Sequence, residues 1–341
     1  DNSLYVADTI NLAAAVNFTA ASPFGVVIAD FDGDGKPDVA TANGSTANSV
    51  SVFRNVATSG AITTGSLAAK VDFAVGASAL AIDAGDLDGD GKQDIVVISE
   101  SGTKISIFRN TATSGSIATG SFAARVDIAT TGGGEAVTIA DVDGNGKPEI
   151  IVTNYGGSNV SVYKNAATVG SITAASFTKV DIAAASNTLG VRLADVNGDN
   201  KPDMLVTNFT SSTVSVFQNT STSGTIATSS FAARVDFAVG LNPYDVAVAD
   251  FDGDGKQDLI VSNSGTNTIS VLRGASGSGT INSSFFAAKV DVGTQYCPRE
   301  LKVADMNGDG KPDLVSANTC PTVSTLFRNK STSGSISFAQ S

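Results

Sequence analysis

An all-β fold of six similar sheets is predicted by three features of the sequence. An acidic nonapeptide occurs six times, and the first residues of successive copies are 56, 55, 54, 55 and 55 positions apart. Each interval holds four short apolar stretches of strand length, and none has helical periodicity. Four strands per repeat of this length are typical of a β-propeller blade. The 341 residues are therefore predicted to form one domain, a β-propeller of six four-stranded blades, or seven if sequence is missing.

The predicted strands follow one order in every repeat. In the fifth repeat they cover residues 234–239, 245–249, 259–262 and 268–272. The stretch before the nonapeptide is small and apolar, which suits an innermost strand, whereas Val-Ser-Val-Phe at 50–53 alternates as a more exposed strand does. Four phenylalanines recur at fixed places and are predicted to be core residues: Phe122, Phe177, Phe231 and Phe286.

The N-terminal segment is predicted to close the ring. Ala-Val-Asn-Phe at residues 15–18 matches the outer-strand pattern Lys-Val-Asp-Phe at 70–73. The last repeat reaches its third strand at 323–327 and then ends in a short serine-rich tail, so a strand from the N-terminus can complete the last blade and remove an open edge. Strand exchange with a neighbouring subunit is the alternative. Residues 3–6 are the best candidates for such self-assembly through the N-terminal strand.

The nonapeptide has the residue order of a calcium-binding turn. Positions 1, 3 and 5 are always Asp or Asn, and position 9 is always Asp or Glu. Calcium takes six to eight oxygen ligands from such side chains, together with a backbone carbonyl at position 7. Gly at position 4 and Gly or Asn at position 6 tolerate the left-handed backbone of a tight turn. We therefore predict up to six Ca²⁺ ions, one per repeat.

The predicted ligands occupy the same five positions in every copy. The lysine at position 7 contributes its carbonyl oxygen, and its side chain is predicted to face water. The residues are Asp30, Asp32, Asp34, Lys36 and Asp38; Asp86, Asp88, Asp90, Lys92 and Asp94; Asp141, Asp143, Asn145, Lys147 and Glu149; Asp195, Asn197, Asp199, Lys201 and Asp203; Asp250, Asp252, Asp254, Lys256 and Asp258; and Asp305, Asn307, Asp309, Lys311 and Asp313.

The two other interpretations of the nonapeptide are an EF-hand and a turn without metal. An EF-hand needs Glu at position 12 and flanking helices, but position 12 of the first copy is Thr41 and the flanks are β-like. An Asx-rich hairpin turn without metal is the alternative for any single copy. The third, fourth and sixth copies carry Asn in place of Asp and are predicted to bind calcium more weakly.

The charge balance agrees with bound cations. The sequence has 33 acidic and 21 basic residues, and 21 of the acidic residues lie in the nonapeptides. Six divalent ions would neutralise the formal charge of −12. The acidic excess argues against nucleic acid as a partner.

With these motifs the sequence resembles the FG-GAP/VCBS repeat family, which includes integrin α-subunit propellers, certain fungal lectins and large bacterial surface proteins. The resemblance covers nearly the whole chain. It implies a calcium-binding β-propeller with a protein or glycan ligand on its loop faces. Connections rich in Ala, Ser, Thr and Gly, such as residues 112–116, look like those of the bacterial surface proteins.

Three classes of function were compared. An enzyme is not expected, because histidine is absent and no nucleophile is paired with a base. A calcium-dependent carbohydrate-binding lectin is the alternative, although no Trp and only five Tyr are available for stacking on sugars. We favour an adhesion or structural module of a surface protein or filament. Because calcium is millimolar outside cells, an extracellular or cell-surface location is predicted.

Membrane insertion and a disulfide were also considered. No run of 18 apolar residues occurs, so a membrane span is not predicted. The two cysteines, Cys297 and Cys320, are predicted to lie in loops on one face, where both a disulfide and two free thiols are compatible with the sequence.

Overall fold

The computed structural model describes residues 14–44, 47–58, 60–76, 78–99, 104–130, 132–294, 297–319 and 322–340. These residues form six four-stranded antiparallel sheets and two three-residue 3₁₀ turns. Each sheet follows one repeat, and its strands are hydrogen-bonded in chain order. The all-β class and the six blades of a β-propeller are therefore confirmed. No helix in the described ranges is long and apolar enough to cross a membrane.

Three sheets lie in a compact unit formed by residues 15–184 and 221–230. Their first strands, β1, β5 and β9, pack side by side. The strands are β1 Pro23–Ala29, β2 Asp38–Asn43, β3 Ser49–Phe53 and β4 Val71–Ala74; β5 Ala79–Gly85, β6 Asp94–Ser99, β7 Lys104–Phe108 and β8 Val126–Ala129; and β9 Gly133–Ala140, β10 Glu149–Tyr155, β11 Asn159–Asn165 and β12 Phe177–Ala183, with a 3₁₀ turn at Ala174–Ser176.

The other three sheets lie in a second compact unit that includes residues 185–220 and 231–341. Here β13, β17 and β21 pack side by side. The strands are β13 Thr188–Ala194, β14 Asp203–Asn208, β15 Thr213–Phe217 and β16 Val235–Ala238; β17 Pro243–Ala249, β18 Asp258–Asn263, β19 Thr268–Leu272 and β20 Val290–Gly293; and β21 Pro298–Ala304, β22 Asp313–Thr319, β23 Thr322–Asn329 and β24 Phe338–Gln340. The second 3₁₀ turn, Thr228–Ser230, belongs to the first unit.

The register places every nonapeptide in the turn between the first two strands of its sheet. Ala29 pairs with Asp38 and Ala249 pairs with Asp258, so the first strand ends just before position 1 and the second begins at position 9. The same pairing occurs in the other four sheets. All six acidic turns therefore have the same place in their sheets.

Aromatic residues fill the space between neighbouring sheets. The four phenylalanines predicted as core residues are all buried. Phe122, from the second repeat, meets Phe31 and Phe73 of the first repeat edge-to-face, with ring centroids 6.2 Å and 4.9 Å apart. Such pairs contribute about 0.5–1.5 kcal/mol beyond their buried area. The fixed position of Phe in the repeat is thus explained by packing between sheets.

The predicted closing strand is wrong. Residues 15–18 form no strand, and the fourth strand of the last sheet is β24, which pairs with β23. The reason is local packing, because the ring of Phe338 in β24 lies 5.8 Å from Phe251 and 6.1 Å from Phe327. A strand from the end of the same repeat also needs a far shorter loop than one from the N-terminus. Residues 3–6 lie outside the described residues.

Candidate metal centres

The first acidic residue folds each turn through its side chain. In the first copy, Oδ1 of Asp30 accepts the N–H of Gly33 at 2.7 Å and of Asp34 at 3.2 Å, and Oδ2 accepts the N–H of Gly35 at 2.8 Å. Gly33 and Gly35 have φ of 66° and 86°, as the sequence predicts for a tight turn. The first acidic residue of every other copy likewise accepts turn N–H groups.

The carboxylate at position 3 is buried inside the turn. In the third copy Asp143 is 4% exposed, and neither of its oxygens has a hydrogen-bond partner among the described residues. Oδ2 of Asp32 in the first copy is also buried and makes no hydrogen bond within the described ranges, although the guanidinium of Arg54 lies 3.9 Å away. Burying a carboxylate without a hydrogen-bond donor costs free energy, so a cation bound next to these oxygens would stabilise the turn.

Acidic oxygens converge in four of the six turns. In each of these turns, three residues offer oxygens that lie within 4.8 Å of one another: Asp30, Asp32 and Asp38; Asp86, Asp88 and Asp90; Asp141, Asp143 and Glu149; and Asp250, Asp252 and Asp254. Hard oxygen donors at this spacing fit calcium. In the fourth and sixth turns, Asn replaces the acid at position 3 and donates to the position 5 carboxylate, as Asn197 does to Asp199 at 3.2 Å.

The acid at position 9 has a structural role that the sequence did not predict. Asp94 accepts the N–H of Leu87 at 2.9 Å and of Asn110 at 2.7 Å, so it ties its turn to the end of the third strand. The other five copies repeat these two bonds. Burial raises the pKa of Asp94 and Glu149 to about 7. Their oxygens keep further lone pairs, so metal ligation by position 9 stays a prediction.

The prediction that the side chains at position 7 face water agrees with the structure in part, since Lys36 and Lys147 are exposed and the other four lysines are half-buried. Lys92, Lys147 and Lys311 donate to the carbonyls of Ala112, Ala167 and Ser331 at 2.9, 2.8 and 2.6 Å. Lys256 pairs with Asp254 at 3.1 Å. Lys36 is exposed, which agrees with the prediction. The ammonium group finds a carbonyl in the same repeat because the chain returns to the turn after the third strand.

An asparagine after the third strand joins neighbouring repeats and was missed in the sequence. The amide of Asn110 donates to the carbonyls of Phe31 at 2.8 Å and Gln93 at 2.9 Å, so it holds both its own turn and that of the preceding repeat. Asn165 and Asn329 make the equivalent pairs of bonds. The signal was present, because Asn110, Asn165 and Asn329 each lie 16 residues after position 9.

Short turns with glycine at their third position cover four of the acidic turns in the described part of the chain. We call residues 113–116, 168–171, 222–225 and 332–335 the cover turns; each is closed by a bridge between its end residues. Gly170 donates its N–H to Asp88 at 2.9 Å, and Gly334 donates to Asp252 at 3.0 Å. Ser114 and Ser223 donate to the carbonyls of Gly33 and Gly144. The connections taken as typical of surface proteins therefore complete the turn of the preceding repeat.

A second set of acids, on the fourth strands, is paired with serine and a cation. Ser106 donates to Asp127 at 2.8 Å, and Arg125 lies 2.8 Å from the same carboxylate. The first, third, fourth and fifth sheets repeat the Ser–Asp bond. These acids serve the sheet and are not part of the turns.

The cysteine prediction is only partly covered by the described residues. Cys297 is half-buried and has a φ of 47°. Cys320 lies outside the described residues, so the disulfide stays a prediction.

Sequence comparison identifies the repeat. The model of the FG-GAP-like repeat matches residues 30–97, 86–152, 141–206, 195–261 and 250–316. The chain belongs to the FG-GAP-like repeat family. Each FG-GAP-like match begins at position 1 of a nonapeptide and ends in the strand after the next one, so it spans the loop, the cover turn and the following loop. No curated protein that was compared matches the FG-GAP-like chain significantly in sequence.

Solved structures share the fold of this FG-GAP-like protein at low identity. One from Bacteroides fragilis, provisionally assigned as a 6-phosphogluconolactonase, has 17% identity and a TM-score of 0.62, covering 93% of this chain and 82% of that one. BBS1N in complex with ARL6DN has 10% identity and a TM-score of 0.58, with 94% and 83% covered. An Agrocybe aegerita lectin that recognises non-reducing terminal N-acetylglucosamine has 17% identity and a TM-score of 0.55, with 92% and 79% covered. At these identities the likeness shows the fold alone.

Proposed function

We propose that this FG-GAP-like protein is an extracellular or cell-surface binding module, stabilised by calcium in its acidic turns. The observation that carries the proposal is Asp143, whose buried carboxylate oxygens have no hydrogen-bond partner in the part of the chain that the structure describes. The side chains at positions 1, 3, 5 and 9 and the carbonyl at position 7 would hold the ion. Calcium would supply the positive charge that the clustered carboxylates need.

Electrostatics sets the size of the expected effect. Two carboxylates 4 Å apart repel by about 1 kcal/mol in water and about 4 kcal/mol near a protein surface. Each bound ion stabilises the folded state by about 2.7 kcal/mol at a hundredfold excess over its dissociation constant. Oxygen-ligand sites of this kind suit millimolar extracellular calcium, which supports the proposed location.

Calorimetry tests the calcium proposal. We expect the melting temperature to fall by well over 10 °C when EDTA replaces calcium, since several sites act together. Magnesium should restore little of it, because it demands a smaller and more regular ligand cage. Equal melting temperatures in calcium and EDTA would overturn the proposal.

A charge-neutral variant sharpens this test. Asp143→Asn removes the buried unpartnered charge, so it should raise the melting temperature in EDTA and lower the gain from calcium. Asp236→Asn is the matched control, because it removes the same charge from a fourth strand. Identical behaviour of the two variants would count against a metal at the third turn.

The partner is proposed to be a protein or a glycan that contacts the loops. Propeller neighbours in complex with a protein and in recognition of N-acetylglucosamine support both classes. We favour the adhesion or structural role over the lectin, because the sequence lacks Trp. The module is not expected to be an enzyme, because its sequence has no histidine and pairs no nucleophile with a base. Calcium-dependent binding on a glycan array, lost in EDTA, would favour the lectin instead.

A further inference from the structure

A positively charged side chain lies next to the acidic turn in three repeats. In each case it is the arginine that follows the buried last apolar residue of the third strand, and it approaches a carboxylate whose side chain is at most 11% exposed. The distances from the guanidinium nitrogen to the carboxylate oxygen are 3.9 Å for Arg54 and Asp32, 3.9 Å for Arg109 and Asp88, and 3.4 Å for Arg273 and Asp254.

The third and fourth repeats have a different residue at this position and use it differently. Lys164 donates to the carbonyl of Gly224 at 2.6 Å, and Gln218 accepts the N–H of Ile281 at 3.2 Å. Within the described ranges neither pairs with an acid of its turn. The three ion pairs belong to the turns with four Asp residues, whereas the third turn, with three acids, has no such ion pair in the part of the chain that is described. The sixth repeat, whose turn has three Asp residues, also has an arginine at this position, Arg328.

We propose that Arg54, Arg109 and Arg273 are built-in counter-charges that weaken calcium binding by the first, second and fifth turns and stabilise those turns without the ion. The inference rests on the calcium proposal above. Arginine remains charged at all relevant pH values, and it therefore repels a divalent ion held by the same carboxylate. A unit positive charge that contacts the same carboxylate as a divalent ion lowers the affinity for that ion by roughly tenfold.

The counter-charge changes the expected order of affinity. Carboxylate number alone ranks the first, second and fifth turns as the tightest. Each of these turns has one of its four negative charges offset by arginine, so their affinity should approach that of the third turn. The third turn, with Asp143 unpartnered, should depend most on calcium for its stability.

Replacing the three arginines by glutamine, the residue that the fourth repeat uses, tests the proposal. The matched control is Arg125→Gln, Arg234→Gln and Lys289→Gln, which removes the same number of charges from ion pairs on the fourth strands. Native mass spectrometry counts the bound ions, chelator competition gives the affinities, and calorimetry in EDTA gives the stability of the metal-free protein.

The arginine variant should need about tenfold less calcium to fill three sites than the control, and should melt at a lower temperature in EDTA. The single variant Gln218→Arg tests the same idea in reverse, and it should weaken binding at the fourth turn by about tenfold. If the protein binds calcium but the arginine variant titrates like the control, this inference alone fails. If the unmodified protein binds no calcium, both this inference and the calcium proposal fail.

Discussion

At the scale of single residues, the Ser–Asp pairs show how a half-buried strand keeps a charged side chain. Burial disfavours the ionised form of Asp127, but hydrogen bonds from Ser106 and Arg125 outweigh it and lower the pKa of its carboxyl. An acid with a lowered folded pKa stabilises the fold above the unfolded pKa of about 3.9, and this stabilisation is lost as the pH falls through the lower folded value.

Ser106→Ala should therefore destabilise the protein in a pH-dependent way. Losing this hydrogen bond to a charged group should cost about 1–2 kcal/mol near neutral pH, and the cost should shrink as the pH falls through the lowered pKa of Asp127 and the carboxylate takes up a proton. Urea unfolding of both proteins from acid to neutral pH measures the difference. A cost that does not change with pH would show that the ionised carboxylate is not the partner.

The sequence identified some functional residues and missed others for a physical reason. Spacing within nine residues revealed the acidic turns, because all their ligands are local. The contacts of Asn110 and of the cover turns join residues about 80 positions apart, so no local pattern shows them. The asparagines could have been found from the sequence, because Asn110, Asn165 and Asn329 each lie at a fixed distance from position 9.

At the scale of elements, the buried asparagine after the third strand should contribute to stability by linking two repeats. Asn110→Ala leaves the carbonyls of Phe31 and Gln93 without this donor, at a cost of about 2–4 kcal/mol. Asn55→Ala is the control, because the side-chain amide of Asn55 donates, within the described ranges, to the carbonyl of Pro37 alone, and its loss should cost about 1 kcal/mol. Chemical unfolding in saturating calcium compares them, and equal costs would contradict a link between repeats.

The last sheet gives the second element-scale prediction. Phe338→Ala should cost about 1–2 kcal/mol, because its half-buried ring packs against Phe251 and Phe327. Ile62→Ala removes a side chain that is 71% exposed and should be nearly neutral. Thermal unfolding measures both. No loss in Phe338→Ala would argue that another segment provides the fourth strand of this sheet.

At this scale, the main error was the prediction of which segment forms the fourth strand of the last sheet. The pattern at residues 15–18 resembles an outer strand, yet a pattern of four residues cannot show which sheet edge a segment reaches. The strands predicted at 50–53, 245–249 and 323–327 lie within β3, β17 and β23. Local sequence pattern therefore predicted the strands well, and the long-range choice depended on the packing of Phe338.

At the scale of the whole molecule, the formal charge of −12 makes the metal-free protein sensitive to salt. Raising the salt from about 0.01 M to about 0.1 M shortens the screening length from about 30 Å to about 10 Å. In EDTA this change should raise the melting temperature, because the acidic turns repel less. With saturating calcium the same change should have a much smaller effect, and an equal effect in both would argue against charge neutralisation.

The cover turns have a consequence for how such chains lengthen. Each covers the acidic turn of the repeat before it, so residues 221–230 group with the first three sheets although they follow β15. Consider a tandem duplication that copies the segment from one acidic turn to the next. The cover turn of the copied repeat would cover the acidic turn before it, and the acidic turn of the copied repeat would be covered by the repeat after it. Such a gene could gain or lose a repeat in one recombination event, without inventing a new contact at either junction.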